Sequence, residues 1–327
     1  MINVDLEMKL AGRFKVEAFR ADADGNEIAG SRRVAADWFS NLITNAGLNE
    51  LGATANWGGL SSGQIFFACG VGSGSTTPAF TDTALVSQVA RSSTKQSDTN
   101  GAQGAAPYFG WRRITYRFDA GVAAGNLAEV GIFTDASAGV CWSRALILDG
   151  SGNPTTITVL PDEILDVTYE CRNYPPTADV PWSATISGVS YSGIVRAQSV
   201  TDNSYTGLWA PGAWIGSGSF GVMVNTPAGN GYCQAYSTQT LGDITGSPAG
   251  TGFPAQTGSA SAYVNGNYYR DHTVIWDVTR GNAPGGIGSF RFMSIMGSFQ
   301  MSVTPVIPKD NTKTMSINVR VSWGRYS

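Results

Sequence analysis

The chain has 327 residues, of which 14% are charged, and its 21 Lys and Arg against 24 Asp and Glu give a formal net charge of −3. Scattered basic residues in a near-neutral chain form no concentrated basic face, which excludes nucleic acid as a partner. No apolar run approaches the roughly 20 residues that span a bilayer, which excludes insertion by a helix.

The start, MINVDLEMKLAG, has acids where a signal peptide needs bases and an apolar stretch, so export by that route is not expected. In GRFKVEAFRADADGNEIAGSRRV, Phe14, Val16 and Ala18 alternate with Arg13, Lys15 and Glu17, the period of a half-buried strand. Asp24-Gly25 supplies a tight turn and the segment from Glu27 to Val34 returns, making a hairpin. ADWFSNLITNAGLNELG reads as the one helix, with Asp37 as N-cap and Gly47 as its C-terminal stop.

From about Gly63 the pattern is strands and turns. ARSSTKQSDTNGAQGAAP is expected to be a polar loop. WRRITYRFDAG alternates Ile114, Tyr116 and Phe118 with Arg113, Thr115 and Arg117, and EILDVTYECR turns Leu165, Val167, Tyr169 and Cys171 inward. NYPPTADVPW, with three prolines, reads as a linker. Beyond it the layout recurs. HTVIWDVTRG matches RITYRFDAG, with Val274, Trp276 and Val278 in the places of Ile114, Tyr116 and Phe118. Gly121 and Gly281 stand 160 positions apart, and the same offset aligns Val130 and Ile132 with Phe290 and Phe292. MSINVRVSW closes the second unit as EILDVTYECR closes the first. The expected fold is mainly β: two related antiparallel β-sandwich domains (61–175 and 176–327) preceded by an N-terminal β-hairpin and one short helix (1–60), read as an attachment segment.

Catalytic chemistry finds little support. His272 is the one histidine, and strand alternation points Asp271 away from it. A glycan hydrolase would need paired acids from Glu129, Asp135, Asp162, Glu163 and Asp243, acids that turn capping explains as well. VGSGSTTP and WIGSGSFG lack the lysine and helix of a phosphate loop, and ADADGNE lacks the closing ligand of a calcium loop. Cys69, Cys141, Cys171 and Cys233 are unclustered and read as buried thiols. No catalytic residue, metal or cofactor is expected. Two sets of residues stand out as contact candidates. Tyr205, Trp209 and Trp214, with Tyr268 and Tyr269, give aromatic rings on which sugars or a partner can stack, or which fill the core. Trp38, Phe39, Leu42 and Ile43 form the apolar face of the N-terminal segment, expected at an assembly interface.

Several of these pieces resemble the virion and tail proteins of tailed bacteriophages. They are a hairpin ending in WF-x-N-L-I-T-N-x-G-L (Trp38 to Leu48), the run VGSGSTTP (Val71 to Pro78), D-T-A-L (Asp82 to Leu85) and AEVGIF (Ala128 to Phe133). The likeness covers the first half. It implies a non-enzymatic virion component of the tail, baseplate or fibre, made in the host cytoplasm. Its implied partners are other virion proteins and copies of itself. A receptor-binding adhesin touching a host glycan, or a head-decoration or collar protein, are the alternatives, with a hydrolase behind them.

Overall fold

The computed structural model describes residues 2–53, 65–202, 209–211, 233–255, 257–294 and 297–326. Ile2, Val4, Leu6, Met8 and Leu10 are buried while Asn3, Asp5, Glu7 and Lys9 face solvent, and this period of two continues into the expected hairpin strand. The result is one 19-residue strand, β1 (Ile2–Arg20). The Asp24-Gly25 turn forms as expected: Gly25 has φ +84°, and Asp22 accepts hydrogen bonds from the N–H groups of Asp24 (3.0 Å) and Asn26 (2.9 Å). The return strand, β2 (Arg33–Ser40), starts later than Glu27.

The expected helix is shorter than its apolar pattern suggests. Phe39 pairs with Phe14, and Ala36 with Val16, so residues through Ser40 join the sheet. A second short strand, β3 (Leu42–Ile43), follows, and only then helix α1 (Asn45–Ala53). The cap is Thr44, whose Oγ1 accepts the Gly47 N–H at 2.8 Å. Asp37 instead accepts the N–H of Trp38 beside a β-bulge. Gly47 lies inside the helix, where a Cβ would sit 2.3 Å from the Trp142 carbonyl oxygen.

The first sandwich then builds from β4 (Ala68–Gly72), β5 (Gln88–Ser92), β6 (Lys95–Ala102), β7 (Gly110–Phe118), β8 (Gly125–Leu127), β9 (Glu129–Phe133), β10 (Cys141–Leu146), β11 (Ile157–Val159) and β12 (Glu163–Tyr174). The polar stretch expected as a loop contains β6, an edge strand with most residues exposed, which needs no apolar face to pair with β7. The second sandwich comprises β13 (Val180–Ile186), β14 (Val189–Gln198), β15 (Gln234–Tyr236), β16 (Phe253–Pro254), β17 (Thr257–Ala260), β18 (Tyr269–Trp276), β19 (Ile287–Ser294), β20 (Gly297–Ile307) and β21 (Met315–Arg325).

The two units repeat the same strand order, with β13 an additional edge strand in the second. One outer sheet has the order β5-β4-β9-β10-β3 and the other β16-β15-β19-β20-β14-β13. The register repeats too. Ile114 faces Tyr169 and Tyr116 faces Val167 in the first unit; Val274 faces Ile317 and Trp276 faces Met315 in the second. Gly121 (φ +81°) and Gly281 (φ +70°) make the same left-handed turn. Val278 departs from the expected match, being 43% exposed where Phe118 is buried.

The inner faces of both units belong to one sheet, ordered β17-β18-β21-β1-β12-β7-β6, with β2 also paired to β1. β1 joins the units: residues 2–10 pair in parallel with β21, and residues 9–20 pair antiparallel with β12. Aromatic rings fill the space between layers. Phe66 packs on Trp142 and Tyr169 in the first unit, and Trp276 on Phe290 in the second. Helix α1 touches both units. Asn49 accepts hydrogen bonds from Tyr263 Oη (2.7 Å) and the Gly266 N–H (2.8 Å), and Trp323 Nε1 donates to the Leu48 carbonyl at 2.8 Å. The N-terminal segment is thus bonded into the body of the molecule.

Candidate functional site

The reactive-looking residues of the first unit converge on a structural clamp. Loop 73–87 leaves β4 and folds over the outer face of its own sheet, where Leu85 packs on Phe133 and Cys141. Glu129, wholly buried, receives the N–H groups of Gly74 (3.1 Å), Val86 (3.1 Å) and Ser87 (2.7 Å), together with Arg144 Nε at 2.8 Å. Arg144, equally buried, also donates to Asp82 and to the Thr76 carbonyl, each at 2.7 Å. A Cβ on Gly72 or Gly74 would lie 2.7 or 2.4 Å from Glu129 Oε1, which is why this run is glycine-rich. The equivalent places in the second unit hold neutral groups: Ser289 stands at the Glu129 position and Gln300, bonded to Gly242 and Asp243, at the Arg144 position.

The other acids weighed for hydrolysis are also engaged. Asp135 caps the Ser137 and Ala138 N–H groups, which hold its carboxyl below the usual range. Asp162 pairs with Arg20, Glu163 with Arg33, and Asp243 caps Thr245. His272 is buried on the inner face while Asp271 pairs with Arg320 on the outer one, as strand alternation requires. All four cysteines are free and buried, and burial pushes the thiols of Cys141, Cys171 and Cys233 up to about 12.

The outer face of the shared sheet carries the exposed chemistry. In its first half, Glu170 is buried beneath three guanidinium groups: it accepts from Arg13 Nε (2.8 Å), Arg113 Nε (2.9 Å) and Arg172 Nε (2.7 Å). Burial alone would raise the Glu170 carboxyl, but the hydrogen bonds from Arg13, Arg113 and Arg172 outweigh it and hold the group below the ordinary glutamate range. The bulge in β2 turns Trp38 onto this face, with Arg13 4.1 Å and Arg113 5.4 Å from its ring centroid. Arg113 also lies 5.0 Å from the ring of Trp111. Both indoles are half-buried. Next to them, Asp166 is shared by Arg117 and Arg32. This constellation is assembled from four strands, so the sequence spacing does not disclose it.

In the second half, β18, β21 and β1 align polar rows across a groove of about 660 Å³. Thr273 donates to Asn318 (3.0 Å), Asn318 to Asn3 (3.3 Å), Arg320 to Asp271 (2.8 Å) and Ser322 to Asp5 (2.7 Å). Tyr269, half-buried on the same face, lies 3.6 Å from the Arg320 guanidinium.

The aromatic contact candidates separate. Trp209 is fully buried, packs edge-on against Phe299 and donates Nε1 to the Gln198 carbonyl at 2.9 Å; it is a core residue and offers no ring to a ligand. Tyr268 is half-buried at φ +52°, and its carbonyl accepts the Trp323 N–H. Tyr205 and Trp214 lie outside the described residues. Of the assembly candidates, Phe39 and Ile43 are buried in the chain's own core because they face Phe14 and β10, and Leu42 is half-buried. Trp38 alone of these four is aimed at the outer face. Compared with protein-family models, with curated proteins and with solved structures, the chain finds no match.

Proposed function

We propose that this chain is a non-catalytic structural subunit of a tailed-bacteriophage virion, of tail, baseplate or fibre, that assembles with copies of itself and with other virion proteins. One observation carries the reading. The residues of the phage-like motifs, Gly72, Gly74, Asp82, Leu85 and Glu129, meet at a single clamp that seals one face of a sheet. Motifs that resemble those of virion proteins therefore coincide here with fold-determining contacts. The test is to locate the chain in purified particles by mass spectrometry and imaging. A fixed, symmetric copy number is expected; particles that lack the chain would overturn the reading.

The polar groove favours a second reading, a contact with host surface glycan, because hydroxyl-rich rows with nearly balanced charge suit a neutral polyhydroxylated ligand. Asn318→Ala should then weaken adsorption to host cells while particles still form. Unchanged adsorption would remove this reading.

A further inference from the structure

Three guanidinium groups on one carboxylate leave the Arg13–Arg113–Arg172–Glu170 cluster with a surplus of two positive charges. Each arginine spends only part of its hydrogen-bonding fork on Glu170, and Arg113 is 41% exposed. Trp38 and Trp111 frame the cluster, and half-buried Trp beside Arg is the composition of an energetic centre in protein–protein contacts. A cationic, aromatic face of this kind calls for an acidic partner segment with some apolar surface.

The chain itself carries such a segment. The β1–β2 turn is exposed from Asp22 to Gly30. Among the described residues, neither Asp22 nor Asp24 has a cation within ion-pair distance, although Glu27 beside them is held by Arg32. Other exposed acids without an ion pair among the described residues, such as Asp37, Asp119 and Asp149, stand singly, whereas Asp22 and Asp24 stand two positions apart on one turn. Ile28 (45% exposed) and Val34 (53% exposed) flank the turn and offer the apolar surface. The two unmatched charges of the tip equal the surplus on the face. The tip cannot reach the face of its own chain: Arg13 to Arg20 is one unbroken strand, held in continuous register with β12, and spans roughly 23 Å at about 3.3 Å per residue.

We propose that the Arg13–Arg113–Arg172 face receives the Asp22–Asp24 hairpin tip of a second copy. Tip and face are different patches, so the contact is head-to-tail and builds a ring when its rotation closes. This inference rests on the self-assembly part of the proposed function.

The experiment measures oligomer mass against concentration, by light scattering or native mass spectrometry, for the full chain and three variants. Asp24→Arg lies on an exposed turn and leaves the core untouched. It should weaken association by about tenfold or more, as should Arg113→Glu, and the charge-swapped chain carrying both should recover it. Raising salt to about 1 M should weaken the unmodified assembly, because exposed charges are screened. An oligomer unaffected by Asp24→Arg overturns the proposal. If Arg113→Glu alone dissociates it, the face binds another segment and the hairpin is not its occupant. An unmodified chain that stays monomeric at high concentration overturns the assembly reading itself.

Discussion

Glu129 and Arg144 are both fully buried, and burying two charges costs several kcal/mol each unless the geometry is well matched. Here every charged group has partners: three backbone N–H groups on the carboxylate, Asp82 and a carbonyl on the guanidinium. Arg144→Met would strand Glu129, and a loss of about 3–5 kcal/mol in urea unfolding is expected. The double variant Glu129→Gln/Arg144→Met should cost less than the two single changes added together. Additive losses would contradict the clamp. Glu170 makes a pH-dependent contribution. Its folded carboxyl titrates below the unfolded one, so its stabilisation is complete above the ordinary glutamate range and is lost as pH falls through the lowered value. Glu170→Gln should therefore flatten the acid side of the stability profile, below about pH 4.3, relative to the parent chain. An unchanged acid limb would count against it.

Among the elements, β1 does the most. Its first residues bury Ile2, Val4, Leu6 and Met8, each worth roughly 1.5–3 kcal/mol, against a typical whole-chain stability of about 5–15 kcal/mol. Removing residues 2–8 also bares the backbone edge of β21. The shortened chain should unfold at much lower denaturant than the parent or aggregate, and a parent-like midpoint would show that β1 is not the joint. The alternation that builds this strand is visible in MINVDLEMKL, yet the expected hairpin begins only at Gly12, because the strand that residues 2–10 pair with, β21, lies at the far end of the sequence and no local turn announces the pairing. The helix expected from Asp37 failed for another reason: Trp38, Phe39, Leu42 and Ile43 satisfy a helical spacing, but a neighbouring strand edge competed for the same backbone groups and won.

At the scale of the molecule, two sandwiches share one sheet, and neither has a complete inner layer without β1. The chain should therefore melt in a single calorimetric transition, with calorimetric and van't Hoff enthalpies in agreement. Two resolved transitions would mean that the units are independent despite the shared sheet. The repeat behind this arrangement was legible in the paired strands around Ile114 and Val274, since period-two burial leaves the same mark in each unit. Cys69 and Cys233 also occupy equivalent places, facing Ile132 and next to Gln234–Arg291 respectively, a match that the change in loop length obscured.

The sequence by itself determined the β class, the repeat, the Asp24-Gly25 turn and the inward sets of β7, β12, β18 and β21, because side-chain alternation is a local property of each strand. Only the tertiary structure decided that Trp209 is core, that Glu129 is a clamp, and that Trp38 and Trp111 meet three arginines over Glu170. Those facts depend on which strands lie side by side, and decisive partners such as Arg13 and Glu170, or Trp209 and Phe299, are far apart in the chain.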